Sequence, residues 1–298
     1  MLAIFGPTGV GKTAVAIAIA ERLRAAGEDP VAVSADALQV YAGLEALTGA
    51  PTASERARLE HRLVSCVPVQ ERFSVAAYAR LAHAEIDALL AAGRRPMVVG
   101  GTGLYLRAAL AELDLRPPPP PGVRERWEAE VQAHGAPEVH ARLAERAPWA
   151  AAAIEPHDRR RIVRSLELLD AGRLEPGTAE SQLWTAEMRH PTLLAGLVME
   201  RSALYSRVER RVDELVAAGA VEEVRRADAA GASETARQAL GFEDLLRGDV
   251  EGMKRRTRRF AKRQHTWMRK LAGVHAIDVT ERPSAAVAKE ILALATEH

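Results

Sequence analysis

Eight residues near the start of the chain, Gly6-Pro7-Thr8-Gly9-Val10-Gly11-Lys12-Thr13, have the types and spacing of a phosphate-binding loop. Glycines let the backbone curl so that successive N–H groups turn inward on an anion. A helix opening directly afterwards adds the positive end of its dipole. In such a loop Lys12 reaches terminal phosphate oxygens and the Thr13 hydroxyl ligates Mg²⁺. A chance Gly-rich turn is the bland alternative, and two features oppose it. Leu2 to Phe5 reads as a buried strand before the loop, and Ala14 to Ala26 as a helix after it. Lys12 is also the only lysine before Lys254, in a chain that otherwise uses arginine. A compact charge on a flexible stem suits a phosphate cradle. The loop therefore calls for a di- or triphosphate ligand and does not say which.

Further chemistry-bearing residues follow. Asp36 stands just after Val31-Ala32-Val33-Ser34, which reads as a second buried strand. At a strand's carboxyl end it falls on the reactive edge of an open sheet, with a solvated turn aspartate or a helix cap as the plainer reading. Pro96 to Val99 is a third strand, leading into Gly100-Gly101-Thr102-Gly103. Thr102 would donate to a diphosphate oxygen there, or merely cap the helix opening near Leu104. Arg159, Arg160, Arg161 and Arg164 crowd a helix start, where positive charge opposes the dipole. They call for an external anion or form a solvated surface run. From Lys254 to Lys270 there are nine Lys/Arg and no acid, interleaved with Phe260 and Trp267. On a helix that pattern reads as a nucleic-acid backbone site, with a plain solvated helix as its alternative.

Strands alternating with helices over the first part of the chain predict a parallel, doubly wound sheet. Leu63 to Val67 reads as a further short strand, Ser74 as the cap of a helix over Val75 to Ala92, and Gly43 to Arg58 as a loop running into a helix. At Leu115 the pattern changes. Arg116 precedes Pro117 to Pro121, a stiff extended connection, and only helices follow as far as Arg189. Strand character returns at Thr192 to Val198. The expected fold is a P-loop-type parallel α/β sheet flanked by helices, residues 1–114 plus 199–298, carrying an all-helical insertion over 115–198. Arg201 to Gly219 is amphipathic, with Leu204, Val208, Val212, Leu215 and Val216 on one face.

The 298 residues supply enough apolar content for a real core, and the net charge of +1 leaves any nucleic-acid site to local clustering. The single cysteine, Cys66, excludes a disulfide framework and a cysteine-rich metal site, fits a reducing cytoplasm, and is expected to pack as a small hydrophobe. No signal peptide and no apolar run of membrane-spanning length is evident. A monomer is the default expectation.

In this order the motifs resemble the tRNA dimethylallyltransferases, or tRNA isopentenyltransferases, over nearly the whole chain. They are Gly6–Thr13, Ser34 to Tyr41, Val99 to Tyr105, His157 to Arg164, Arg237 to Phe242, and Ala261 to Trp267. The resemblance implies transfer of a dimethylallyl group from dimethylallyl diphosphate to the exocyclic amine of the adenosine 3′ of a tRNA anticodon, with Mg²⁺ on Thr13. Asp36 would then accept the amine proton, and Thr102, Arg237 and Lys12 would stabilise the leaving pyrophosphate. RNA contacts fall to Asp36, Ala37, Leu38, Gln39 and Thr102, to Arg124, Arg160, Arg161, Ile162, Val163 and Arg164 in the insertion, and to Lys262 and Arg263. Gln39 would read the adenine edge, and the insertion would swing over the anticodon arm. Three stretches depart from the usual pattern. Ala37 stands where a serine is common, Ala50 where a lysine is common, and Glu155-Pro156-His157-Asp158 replaces His-Pro-Asn-Asp. The same loop and sheet fit a small-molecule kinase, or a nucleotide-gated RNA-binding module without catalysis.

Overall fold

The computed structural model describes residues 1–115, 121–175 and 182–297. Its strands are β1 (Leu2–Phe5), β2 (Pro30–Ser34), β3 (Tyr41–Ala42), β4 (Glu60–Arg62), β5 (Val67–Pro68), β6 (Arg95–Gly100), β7 (Leu193–Val198) and β8 (Val274–Asp278). The helices of the first part are α1 (Lys12–Ala25), α2 (Glu45–Thr48), α3 (Ala53–Arg58), α4 (Val75–Ala91) and α5 (Gly103–Leu110). Then come α6 (Val123–His134), α7 (Ala136–Arg146), α8 (Pro148–Ala151) and α9 (Arg159–Asp170). The last are α10 (Arg201–Ala217), α11 (Ala220–Ala229), α12 (Phe242–Leu246), α13 (Val250–Met268) and α14 (Ser284–Glu297).

Six strands form one parallel sheet in the order β4-β2-β6-β1-β7-β8, and β3 pairs with β5 separately. Every residue of β1 and β2 is buried, as continuous apolar runs are in a sheet covered on both faces. Register then decides where the chemistry sits. Phe5 lies beside Gly100 on one side and Gly196 on the other, and Ser34 lies beside Val99. The carboxyl ends of β1, β2 and β6 therefore share one edge, and the phosphate loop, Asp36 and Thr102 all start from it.

The described chain divides into two compact units, Met1–Asp114 with Ser181–His298, and Leu115–Glu180. The insertion expected over 115–198 is thus too long at its far end. β7 pairs with β1 in the middle of the sheet and belongs to the first unit, because its apolar run Leu193-Leu194-Ala195-Gly196-Leu197 is buried there. Arg116 to Pro120 of the expected proline connection lie outside the described residues. The second unit packs α6, α7 and α9 around Trp127, Val131, Val139, Leu143, Ile162 and Leu166. Trp127 Nε1 donates to Asp170 at 2.6 Å, closing that core at one end.

Two local expectations fail. The strand read over Leu63 to Val67 is a turn flanked by β4 and β5, with Leu63 and Ser65 in the left-handed region (φ 58 and 53). The polar Glu60-His61-Arg62 makes the edge strand instead, since an edge tolerates half-buried polar side chains. Cys66 follows that turn and is exposed rather than packed. The stretch from Gly43 to Arg58, read as a loop running into a helix, holds the short α2 within the loop and ends in α3 as expected. Thr52 and Glu55 cap α3 reciprocally, a signature present in the sequence. No helix among the described residues is long and apolar enough to cross a membrane.

Candidate active site

Gly9 and Gly11 take φ of 82° and 101°, which only glycine adopts without strain, and Gly11 caps α1. The first helical residue, Lys12, turns its ammonium back across the loop and donates to Gly6 O at 3.0 Å and Pro7 O at 3.1 Å. Burial drives its pKa down to about 8; the Asp36 charge opposes that fall and Arg211 adds to it. Lys12 is thus a poorly solvated cation that an anion would stabilise. The Thr13 hydroxyl makes no hydrogen bond among the described residues.

Asp36 makes the turn contact of the plainer reading. Its Oδ1 closes an Asx turn, accepting from Leu38 N–H at 2.9 Å and Gln39 N–H at 3.4 Å. Its Oδ2 accepts nothing among the described residues, leaving one carboxylate oxygen for other work. The neighbouring Ala37 N–H donates to Thr102 Oγ1 at 3.4 Å, which brings the two strand ends together. Thr102 stands at the N-cap of α5 without accepting a cap bond, and its hydroxyl donates to no group among the described residues. Only glycine fits at 100, where a Cβ would meet Ala35 O at 2.1 Å. Gln39 differs from expectation. Its amide is already engaged, with Ser34 Oγ donating to Oε1 at 3.4 Å and Nε2 donating to Gly49 O at 3.2 Å.

The Arg237 guanidinium is held by Asp228 and by Glu243 (2.8 Å) and lies over the Phe242 ring. Sequence reasoning misses two cations that do reach this edge, Arg207 and Arg211 on α10. Val208 packs on Gly9, within 3.1 Å of where a Cβ would stand, and that contact carries Arg207 Nη2 to 3.3 Å from the same point on Gly11. Arg211 Nη2 donates to Gly49 O at 3.0 Å, bringing a cation beside Ala50, where the usual lysine is absent. Neither has a carboxylate partner among the described residues. Burial, Arg210 and Arg211 all hold the Arg207 pKa down. Their i, i+4 spacing beside the apolar face of α10 is the signal that could have found them.

The basic helix α13 also differs from its charge count. Met253, Thr257, Ala261, Gln264 and Met268 form a buried stripe, and protein carboxylates meet much of the charge. Lys254 pairs with Asp213 at 2.7 Å, Arg255 with Asp249 at 3.6 Å, Arg256 with Asp244 at 3.2 Å, and Arg258 with Glu209. Arg259, Lys262, Arg263 and Arg269 carry no carboxylate among the described residues. Lys262 and Arg263 are exposed. Gln264, between them and the core, accepts from Thr8 N–H and donates to Gly101 O.

In the helical unit Arg124, Arg160, Arg161 and Arg164 line a cleft of about 410 Å³ with Ile154 and Ser165. Arg124 and Arg164 are oriented by the buried carboxylate of Glu167, at 3.5 and 3.1 Å. Asp158 caps α9 through Arg161 N–H at 3.2 Å, offsetting the charge crowded there. The expected RNA contacts of Ile162 and Val163 are corrected, because both side chains lie in the unit's core, 0% and 3% exposed.

A glycine-rich loop after β1, Asp36 after β2 and Thr102 after β6 share one edge of a parallel sheet, the arrangement of an α/β transferase. The family described as IPP transferase matches residues 39–271. The chain is 41% identical over 303 residues to the tRNA dimethylallyltransferase of Thermobifida fusca, covering 96% of this chain and 94% of that one. It is 41% identical over 288 residues to that of Anaeromyxobacter dehalogenans, covering 92% and 93%. The crystal structure of the tRNA isopentenylpyrophosphate transferase of Bacillus halodurans superposes with a TM-score of 0.71 at 32% identity, over 99% of this chain and 95% of that one. A eukaryotic dimethylallyltransferase captured acting on tRNA shares the fold, with a TM-score of 0.77 at 22% identity over 100% and 78% of the two chains. The chain belongs to the IPP transferase family.

Proposed function

We propose that this chain moves the dimethylallyl group of dimethylallyl diphosphate to N6 of the adenosine on the 3′ side of a tRNA anticodon. The allylic C–O bond to the bridging oxygen breaks, a C–N bond forms, one amine proton passes to Asp36, and pyrophosphate leaves. One observation carries this reading above the others: Asp36, Thr102 and the phosphate loop meet at one sheet edge, joined by Ala37 N–H on Thr102 Oγ1.

The diphosphate lies in the Gly6–Thr13 loop, and Lys12 exchanges the Gly6 and Pro7 carbonyls for its oxygens. Arg207 and Arg211 add their charge to that of Arg237 in holding the departing pyrophosphate. Thr102 donates to the bridging oxygen, where charge builds as the bond breaks. Asp36 Oδ2 faces the amine as proton acceptor. No cluster of His, Cys, Asp or Glu suited to a metal occurs among the described residues. Thr13 and the diphosphate oxygens would therefore hold Mg²⁺, in keeping with an ion that retains waters and leans on substrate phosphates. Its contribution is neutralisation of the leaving group's charge.

An adenine inside a stacked loop cannot reach this edge, so it is extruded at a cost of a few kcal/mol. Contacts to the RNA backbone from Lys262 and Arg263, and from Arg124, Arg160, Arg161 and Arg164, offset that cost. The chain works as a cytoplasmic monomer in this reading. A kinase reading leaves both sets of exposed cations without a task. Asp36→Asn tests the assignment. Turnover should fall on the order of 10²- to 10⁴-fold while stem-loop binding holds; equal loss of both would remove Asp36 as the base.

A further inference from the structure

Gln264 lies on α13 only 5% exposed, one position beyond Arg263. Both ends of its amide bond backbone groups in the turns that follow two different strands, β1 and β6. Oε1 accepts from Thr8 N–H at 2.8 Å, and Nε2 donates to Gly101 O at 2.8 Å. Thr8 belongs to the phosphate loop and Gly101 immediately precedes Thr102. The fit is close on both sides, since a Cβ at 101 would stand 2.4 Å from Nε2 and 3.2 Å from Lys12 Nζ.

The geometry points to Gln264 as a positioning residue for the transfer reaction: it sets the spacing between the phosphate loop and the Thr102 turn. This inference rests on the reaction proposed above. As the allylic bond breaks, charge gathers on the bridging oxygen, which the loop donors hold from one side and Thr102 from the other. A misplacement of about 1 Å between two such groups costs roughly 100-fold in rate. Glutamine offers an acceptor and a donor at that reach at every pH. Leucine leaves Thr8 N–H and Gly101 O unpaired in a buried place. An ionised glutamate sets an oxygen against Gly101 O and draws on the Lys12 ammonium. The bond also joins the RNA-facing stretch Lys262-Arg263 to the diphosphate loops through one side chain.

The expected signature is a loss in kcat with stem-loop affinity intact, and a pH rescue. Protonated glutamate regains the hydroxyl donor for Gly101 O while its carbonyl accepts from Thr8. The charged group beside it is Lys12 on α1, on which Asp36 beyond β2 and Arg211 on α10 act, and Arg263 and His265 flank it on α13. All are present in the wild type too, so each activity is divided by that of the wild type at the same pH.

Dimethylallyl transfer, stem-loop Kd and Tm are measured for wild type, Gln264→Leu and Gln264→Glu between about pH 5 and about pH 8. The Leu variant should lose roughly 10- to 100-fold in kcat at every pH, with Kd within about twofold. The Glu variant should match it near pH 8 and climb back toward wild type as the carboxyl protonates. Variants equal to wild type, or a Glu loss that does not change with pH, would overturn the inference while leaving the reaction standing. A wild type that prenylates no RNA would remove the reaction, and this inference with it.

Discussion

Lys12, Arg207 and Arg211 gather half-buried at the phosphate loop with no carboxylate partner among the described residues. On α13, by contrast, Lys254, Arg255, Arg256 and Arg258 each meet a carboxylate of the protein. The two sets carry similar charge and differ in what they need. A cation kept from water without a paired carboxylate raises the free energy of the empty protein, and an arriving anion recovers it. A cation already paired with a carboxylate of the protein has its counter-charge and asks for nothing further. Charge density along a helix therefore overstates its appetite for phosphate, and burial without a partner identifies the cations that wait for a ligand.

Substitutions should separate the two sets by size of effect. Lys12→Ala should cost most, on the order of 10²- to 10³-fold in kcat/KM for dimethylallyl diphosphate, by analogy with removal of one oxyanion donor. Arg207→Gln should follow, raising KM for the diphosphate roughly 10-fold, since hydrogen bonds to charged groups contribute about 1.5–3 kcal/mol. A loss below twofold would show that the cation has no ligand there.

The pH dependence comes next. Lys12 binds the diphosphate as an ammonium and its pKa is about 8, so diphosphate affinity should hold below that pH and fall as pH rises through it. Asp36 holds the pKa up, so pyrophosphate binding to Asp36→Asn should weaken at a lower pH than in wild type. A shift upward contradicts the sign.

Lys262→Ala with Arg263→Ala should leave the diphosphate KM alone. The double variant should weaken stem-loop binding and flatten its salt dependence, by about 0.7 to 0.9 in slope for each RNA phosphate these side chains neutralise. Arg255→Gln should change least. Its side chain and that of Asp249 are 55% and 49% exposed at a separation of 3.6 Å, and the stability change should stay within about 0.5 kcal/mol.

Much of the molecule is legible in the sequence where local physics and tertiary context agree. The phosphate loop, the strands on either side of it and the N-cap at Ser74 depend on short-range rules, and each forms where the residues require. Asp36 and Thr102 are recognisable because strand ends of a parallel sheet share an edge. What escapes depends on contacts distant in sequence. Arg207 reaches the loop only because Val208 docks on Gly9, and Arg237 pairs with Asp228 and Glu243, partners that no spacing rule reveals. Gln264 sits inside a basic run whose charge points outward, while its own side chain turns in. Ile162 and Val163 stand among arginines that face the cleft, although the helical period sends both to the core.

The full chain incubated with labelled dimethylallyl diphosphate, Mg²⁺ and an anticodon stem-loop, with no ATP present, should place label on the adenosine 3′ of the anticodon and release an equal amount of pyrophosphate. RNA that stays unlabelled, or a phosphoryl group passed from added ATP to a small acceptor, would contradict the assignment of this sheet edge to prenyl transfer.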